Sequence, residues 1–307
     1  MKNLHVFLWM GLALVANTMM AAPRYSAGQL SHWLRISATG VEANHIFKKN
    51  MPAYTQAGGG GEATLLYEIQ KGRFFFNIGL GAEYMQTASA IDAYSDEFLR
   101  IDYTGDQVLY RYVYSDYEET QTQLRVVAPV HFGYHFGDWF YIGLGAAFRS
   151  KPLMNSFDVK TRMLTEGQYD YLIQPIRNAP DYGYWQEADY TGKGVVNSAT
   201  HEMAVQLELG ARVPIAKKVQ MRVGAFLGYD LPLISYKEPK DILVNYAAVD
   251  INPLTQSMEN LAQNIQFNSM LDANVTNNNL QRIRVGVKLT FIFNVTNTAM
   301  PCMCLID

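Results

Sequence analysis

The segment 282–293 alternates apolar residues with basic, small or polar residues along nearly its whole length. Because successive side chains of a β-strand point to opposite faces, this segment would carry one wholly apolar face and one charged face. The apolar face comprises Ile283, Val285, Val287, Leu289, Phe291 and Phe293, and the other carries Arg282, Arg284 and Lys288. A soluble sheet would bury the apolar face in a core, whereas a membrane barrel turns it to lipid and encloses the charged face.

The composition favours the membrane barrel over the soluble sheet. Charged residues make up only 17% of the chain, below the usual fraction, while aromatic residues reach 13%. No stretch beyond the N-terminal region approaches the roughly 20 consecutive apolar residues of a membrane-spanning helix. The formal net charge of −3 argues against a nucleic acid as partner.

The N-terminal residues 1–22 predict a secretory signal peptide. Lys2 gives a weakly basic start, the apolar run 6–16 follows, and the small residues Ala21 and Ala22 offer a cleavage site. The alternative is an N-terminal anchor helix, although the apolar run is short for a membrane span. We therefore expect the chain to leave the cytoplasm.

Seven further segments repeat the alternating pattern. They span residues 33–41, 62–69, 73–84, 122–136, 139–149, 201–213 and 219–229. Short joints follow the second, fourth and sixth segments, and long joints of residues 42–61, 86–121, 150–200 and 231–280 follow the others. Short turns at one rim and long loops at the other are typical of outer-membrane barrels. The sequence predicts an all-β fold, namely an eight-stranded antiparallel up-and-down transmembrane β-barrel with long extracellular loops and short periplasmic turns.

With these features the chain resembles the small outer-membrane β-barrel proteins of Gram-negative bacteria and is similar to the transmembrane barrel of outer-membrane protein A. The resemblance covers residues 23–293 and implies contact with outer-membrane lipid and lipopolysaccharide. It also implies that the barrel assembly machinery recognises the final strand, where Phe293 would be the terminal aromatic residue. The chain departs from the family by a short periplasmic tail, 294–307, and by lacking a peptidoglycan-binding domain.

An eight-stranded barrel has an interior just wide enough to be filled by side chains. By strand parity the interior holds Arg35, Glu62, Glu68, Glu83, Arg125, Glu202, Glu208, Arg212, Arg222, Arg282, Arg284 and Lys288. Because an unpaired buried charge is costly, we expect an ion-pair network that plugs the lumen. The alternative is a narrow porin for ions or small solutes, in which these pairs switch.

The sequence gives little support for catalysis or metal binding. His131 and His135 share the inner face of one strand, but no third ligand is evident, so we expect hydrogen-bonded histidines and no metal or cofactor. Some barrels that this chain resembles modify lipid A with an outward-facing histidine and serine. His201 suits that position, but Met203 stands where the serine would be. We expect no enzymatic activity and keep a lipid A-modifying enzyme as an alternative.

The long joints carry the remaining candidates for function. Tyrosine offers rigid amphipathic contact area, so an extracellular glycan or protein could bind a surface formed by two of the loops. The candidate residues are Tyr103, Tyr112, Tyr114, Tyr182, Tyr184 and Trp185. Alternatively, these tyrosines only extend the strands and pack the loops together, since the run 107–114 alternates weakly. Residues 253–268 predict an amphipathic helix that covers the barrel mouth. Cys302 and Cys304 have no evident partner.

The sequence therefore predicts an integral outer-membrane barrel with a structural or surface-binding role.

Overall fold

The computed structural model describes residues 30–46, 53–101, 105–177, 186–197, 200–216, 218–233, 243–246, 265–272 and 281–296. These residues form thirteen strands. In chain order the strands are β1 Leu30–Ile46, β2 Ala53–Lys71, β3 Phe74–Ile101, β4 Gln107–Phe136, β5 Phe140–Arg149, β6 Met154–Tyr169, β7 Ile176–Arg177, β8 Ala188–Val195, β9 Glu202–Ala216, β10 Val219–Pro232, β11 Val244–Tyr246, β12 Ile265–Phe267 and β13 Gln281–Asn294.

Eight of these strands close into a ring with antiparallel pairing throughout. The ring runs β1–β2–β3–β4–β5–β9–β10–β13 and returns to β1. Its closing pair aligns Arg35 with Ile292 and Ser37 with Thr290. The predicted eight-stranded up-and-down barrel is confirmed, with each predicted segment contained in one strand of the ring except for an end residue in three of them.

The outer surface of the ring is an apolar band. Its outward side chains keep large exposed fractions, as Leu80 at 64%, Leu144 at 59% and Val287 at 59% illustrate. The inward side chains on the same strands are buried. Many are polar or charged, and apolar ones such as Leu66, Phe75 and Ile292 lie among them. A soluble fold would bury its apolar side chains and expose its charged ones. The opposite arrangement found here follows from the alternation of the strands and fits a surface solvated by lipid. Among the described residues, no helix is long and apolar enough to cross a membrane.

Three short connections define one rim of the barrel, which we call the turn rim. Gly72 and Gly137 adopt φ of 59° and 63° in the β2–β3 and β4–β5 turns. These left-handed conformations favour glycine because a Cβ atom would strain the backbone. The opposite rim, which we call the loop rim, carries the long connections. The first and last described residues of the chain both lie at the turn rim, where Thr296 Oγ1 accepts a hydrogen bond from the backbone N–H of His32 at 2.8 Å.

The joint expected between residues 86 and 121 is mostly strand. β3 and β4 continue beyond the apolar band as a long hairpin, and β6 pairs with β4 from Val108 to Leu124. β8 and β7 then pair with β6. We call this assembly the external sheet: residues 86–101 of β3 and 107–121 of β4, together with β6, β7 and β8. The weak alternation of the run 107–114 indicated this extension correctly.

The external sheet contains one irregularity that redirects its side chains. Asp116 has φ of 48°, and the β4–β6 register shifts by one residue between Ser115 and Glu118. A β-bulge of this kind exchanges the faces on which odd and even positions lie. As a result, Tyr114, which precedes Asp116 in the chain, and Tyr117, which follows it, both point to the buried side of the sheet.

At Pro129, which lacks a ladder donor, the β3–β4 ladder is interrupted between the pairs Ile78–Val130 and Gly81–Val127, with no change of register. The ladder is therefore locally distorted at this proline without a bulge. The helix predicted over 253–268 is wrong at its C-terminal end, because Ile265–Phe267 is strand β12 and pairs with β11.

The rest of that predicted helix lies outside the described residues, as do the signal peptide and the tail beyond residue 296.

Candidate functional site

The barrel interior nearest the loop rim holds a charge network of four arginines and four carboxylates, which we call the upper cluster. Its members are Arg125, Arg149, Arg282, Arg284, Glu62, Glu83, Glu202 and Asp230. Arg149 is its centre, with Nη1 2.9 Å from Asp230 Oδ1 and Nε 3.0 Å from Glu83 Oε2. Arg282 also reaches Asp230 at 3.2 Å. Equal numbers of opposite charges make this cluster electrically balanced.

Glu62 is the most loosely held member of the upper cluster. Its carboxylate lies 3.6 Å from Arg149 and 3.8 Å from Arg284, and its side chain keeps 10% exposure.

A single ion pair lies in the middle of the lumen. Lys288 Nζ is 3.1 Å from Glu208 Oε2, and the Tyr141 hydroxyl donates a hydrogen bond to Glu208 Oε1 at 2.6 Å. Two of the surrounding inward positions are Gly143 and Gly145 on β5. A Cβ at Gly145 would lie 2.0 Å from the His131 ring, so glycine is required for the ring to fit there.

Nearest the turn rim, one carboxylate holds two arginines. Arg222 donates to both oxygens of Glu68, at 2.7 and 2.9 Å, and Arg35 donates to Oε2 at 2.6 Å. The Arg222 guanidinium also lies over the Phe75 ring, 4.5 Å from its centroid. We call Arg35, Glu68, Arg222 and the neighbouring Arg212 the turn-end cluster. All four side chains are at most 2% exposed.

The structure places all twelve predicted lumen residues inside the barrel and each of them in an ion pair. Arg212 differs from the others because its carboxylate partner, Asp138, belongs to the β4–β5 turn and lies 3.9 Å away. Sequence reasoning missed two members of the network, Arg149 and Asp230. Strand parity could have found Arg149, since it shares its face with Tyr141, while Asp230 lay one residue beyond the predicted strand end.

Above the upper cluster the mouth of the barrel is covered by residues 265–272, which we call the lid segment. Its centre is buried, with Ser269, Met270 and Leu271 at 0% exposure. Glu119 on β4 holds the lid segment by accepting hydrogen bonds from the Met270 backbone N–H at 2.6 Å and from the Ser269 hydroxyl. Burial raises the pKa of the Glu119 carboxyl above its usual value. The lid segment is therefore a short strand and turn at residues 265–272, where the sequence predicted the end of a helix over the mouth.

The lid segment and the inner side of the external sheet share an apolar core. Its largest members include Tyr112, Tyr114, Tyr117, Phe157, Met163, Phe267, Met270 and Leu271. Tyr114 and Tyr117 contact each other edge to face, with ring centroids 6.1 Å apart. Burial raises the pKa of both hydroxyls well above the usual value.

This core corrects part of the predicted binding surface. Tyr112 and Tyr114 were candidates for contact with an external ligand, but both are 0% exposed. They pack the extension, as the alternative interpretation held. The other candidates, Tyr103, Tyr182, Tyr184 and Trp185, lie outside the described residues.

The histidines occupy hydrogen-bonded positions. His131 Nδ1 lies 3.0 Å from Asn77 Oδ1, and His135 Nε2 lies 3.2 Å from Arg222 Nη2. His201 is exposed near the loop rim, stacks on Phe148 and accepts the Lys151 backbone N–H through Nδ1 at 3.0 Å. Within the described residues, no three His, Cys, Asp or Glu side chains form a group suited to a metal ion.

No protein-family model and no curated protein sequence matches the chain. Among solved structures it is similar to Neisserial surface protein A, with 7% identity, a TM-score of 0.30, and coverage of 86% of this chain and 98% of that one. It is also similar to the translocator domain of the autotransporter NalP from Neisseria meningitidis, with 9% identity, a TM-score of 0.22, and coverage of 95% and 97%. The closed ring of eight strands follows from the chain's own strand pairing.

Proposed function

We propose that this chain is an integral outer-membrane protein of a Gram-negative bacterium whose barrel anchors a rigid interaction module outside the cell. The module is the external sheet with its lid segment. Long strands that continue beyond the apolar band and pack around a core of their own support this role. A chain needing only a membrane anchor would have no use for this second core, because the barrel closes without it.

The lumen supports an anchoring role over a conducting one. The upper cluster, the Lys288–Glu208 pair and the turn-end cluster follow one another along the barrel axis, and the lid segment covers them. Moving ions through this stack would require breaking buried pairs, each of which costs several kcal/mol by the usual order of magnitude. The porin alternative is therefore not favoured, and nothing specific favours lipid A modification.

The outer face of the external sheet offers the contact surface. Exposed ion pairs cross it, including Arg162–Glu187 at 2.8 Å and Lys193–Asp158 at 3.0 Å. Exposed apolar side chains occur at its tip, with Leu99 at 61% and Ile101 at 70%. Mixed charge around exposed apolar residues is the composition of a protein–protein or protein–glycan interface rather than of a lipid-facing surface.

The test is a binding screen with two refolded proteins. The first is the mature chain, and the second has residues 88–119 replaced by a short glycine-containing turn that joins β3 to β4 just above the membrane. Both are displayed in detergent micelles to glycan and protein arrays. Ligands retained by the first protein and lost by the second would support the proposal, while identical profiles would contradict it.

A further inference from the structure

Among the residues that the structure describes, the charges of the lumen are balanced except at the turn end. The upper cluster pairs four arginines with four carboxylates, and Lys288 is paired with Glu208. The turn-end cluster has three guanidinium groups, from Arg35, Arg212 and Arg222, and one enclosed carboxylate, Glu68. Among the described lumen residues, the excess positive charge is therefore confined to this end.

Arg212 and Arg222 add a second unfavourable feature. They are directly opposite each other in the β9–β10 register, and both point inward with side chains at most 1% exposed. Like charges at directly opposite positions of an antiparallel pair destabilise a sheet. Glu68 cannot offset both, because Arg222 and Arg35 already use both of its oxygens.

The contacts of Arg212 lead to the turn rim. Its Nε donates to the backbone carbonyl of Asp138 at 3.1 Å, and its Nη2 lies 3.9 Å from the Asp138 carboxylate. That carboxylate is 50% exposed, so water screens much of its effect on the guanidinium. A stronger anion could replace it from the aqueous side without disturbing the barrel wall.

The surroundings of this entry are basic. Lys71, Arg73 and Lys218 are exposed in or beside the turns of the same rim, and Asp138 is the only carboxylate among the described turn residues there. Clustered cations raise the local concentration of anions and speed their capture. The Nε atoms of Arg35 and Arg222 are also buried without a hydrogen-bond acceptor.

The geometry points to an oxyanion-binding position at the turn end of the lumen, where a phosphate group displaces the Asp138 carboxylate and is held by Arg212 beside Arg222. Guanidinium groups suit this ligand because their paired N–H donors match two oxygens of a phosphate. The phosphate can belong to a free phosphate ion or to a phospholipid headgroup of the adjacent leaflet. Binding would add negative charge beside the opposed arginines and stabilise the barrel.

The experiment measures thermal unfolding of the refolded, full-length barrel in phosphate-free buffer and during titration with inorganic phosphate. The unfolding temperature of the wild type is expected to rise as phosphate is added. Arg212→Gln should weaken phosphate binding by about tenfold or more, the loss of one charge-assisted hydrogen bond. Asp138→Asn removes the competing carboxylate and should tighten binding by roughly twofold to fivefold.

Lys151→Gln is the matched control, because Lys151 is an exposed cation at the opposite rim. It should respond to phosphate as the wild type does. Arg212→Lys, which keeps the charge, provides a second variant if Arg212→Gln does not fold. A parallel series in nanodiscs compares phosphatidylglycerol with phosphatidylcholine in the absence of free phosphate. Stabilisation by phosphatidylglycerol that depends on Arg212 assigns the lipid headgroup, and stabilisation by free phosphate alone assigns the ion.

Three results would overturn the inference. One is a wild type that responds neither to phosphate nor to phosphatidylglycerol. Another is an equal response of the wild type and Arg212→Gln, which would mark a general salt effect. The third is an Asp138→Asn protein whose phosphate affinity is unchanged or weaker, since the proposed site requires that carboxylate to leave.

Discussion

Arg222 and Glu68 lie on strands that do not pair with each other, yet they form a bidentate ion pair across the barrel, at 2.7 and 2.9 Å, with both side chains fully buried. Arg35 donates to the same carboxylate at 2.6 Å. One carboxylate thereby links β1, β2 and β10 through the interior. Such a link specifies which strands face one another, a role that backbone ladders between neighbours cannot perform.

Replacing Glu68 with Gln should strongly destabilise the barrel. The change leaves Arg35 and Arg222 buried without their anion, and breaking a buried pair in this way costs roughly 3–5 kcal/mol. Urea unfolding in phospholipid vesicles would measure the free energy. Glu97→Gln is the control, because its pair with Arg111 is about half exposed, and exposed pairs contribute about 1 kcal/mol or less. Equal effects of the two substitutions would contradict the structural role of Glu68.

The lumen should not conduct. In planar bilayers the refolded wild type is expected to show no discrete openings, because the paired side chains fill the barrel below the lid segment. Glu119→Gln, which weakens the hold on the lid segment, should remain closed as well, since the upper cluster lies beneath it. Uniform single-channel steps in either protein would support the porin alternative.

The stability of the folded protein should depend on pH through Glu119. Burial raises the pKa of this carboxyl in the folded protein above 4.5, so the folded state binds its proton more tightly than the unfolded state. The contribution of Glu119 to folding stability should be fully present below pH 4.5, fall as the pH rises to the raised pKa, and stay constant above it. Urea unfolding of the refolded protein across this pH range would measure this. Glu119→Gln should remove this pH dependence. An unchanged pH profile in that variant would contradict the prediction.

The external sheet should lose its own stability when its core is opened. Tyr114→Ala removes a buried aromatic ring, and such changes cost about 3–5 kcal/mol. Limited proteolysis should then cut the external sheet while the barrel keeps its heat-dependent mobility in gels. Tyr84→Ala provides the comparison, because Tyr84 faces outward in the apolar band at 47% exposure. Cleavage at the same rate in both variants would show that the external core does not hold the module together.

The alternation of the strands made much of the fold predictable. Outward Leu289 and inward Lys288 follow from period-two geometry alone, and the short joints predicted which strands neighbour each other. The partners of the inner charges were not predictable in the same way. Glu68 could have met any of several arginines, because parity gives the face of a residue but not its height or its neighbour across the lumen.

The loops show the same limit more sharply. The tyrosines of residues 107–114 were compatible with a ligand surface and with a packed extension. The choice depended on β6 pairing with β4 and on the lid segment returning over the sheet, which are contacts between residues far apart in the chain. The one-residue bulge at Asp116 also decided which side Tyr114 and Tyr117 face, and no local pattern indicated it.

The sequence by itself determined that this chain folds as a closed cylinder with an apolar exterior and a charged interior, because that choice depends only on which residues alternate. The tertiary structure decided how the interior charges pair, where positive charge stays in excess, and that Tyr112 and Tyr114 are buried. Those outcomes depend on the stagger of strands around the ring and on long-range contacts, and both are fixed only when the barrel closes.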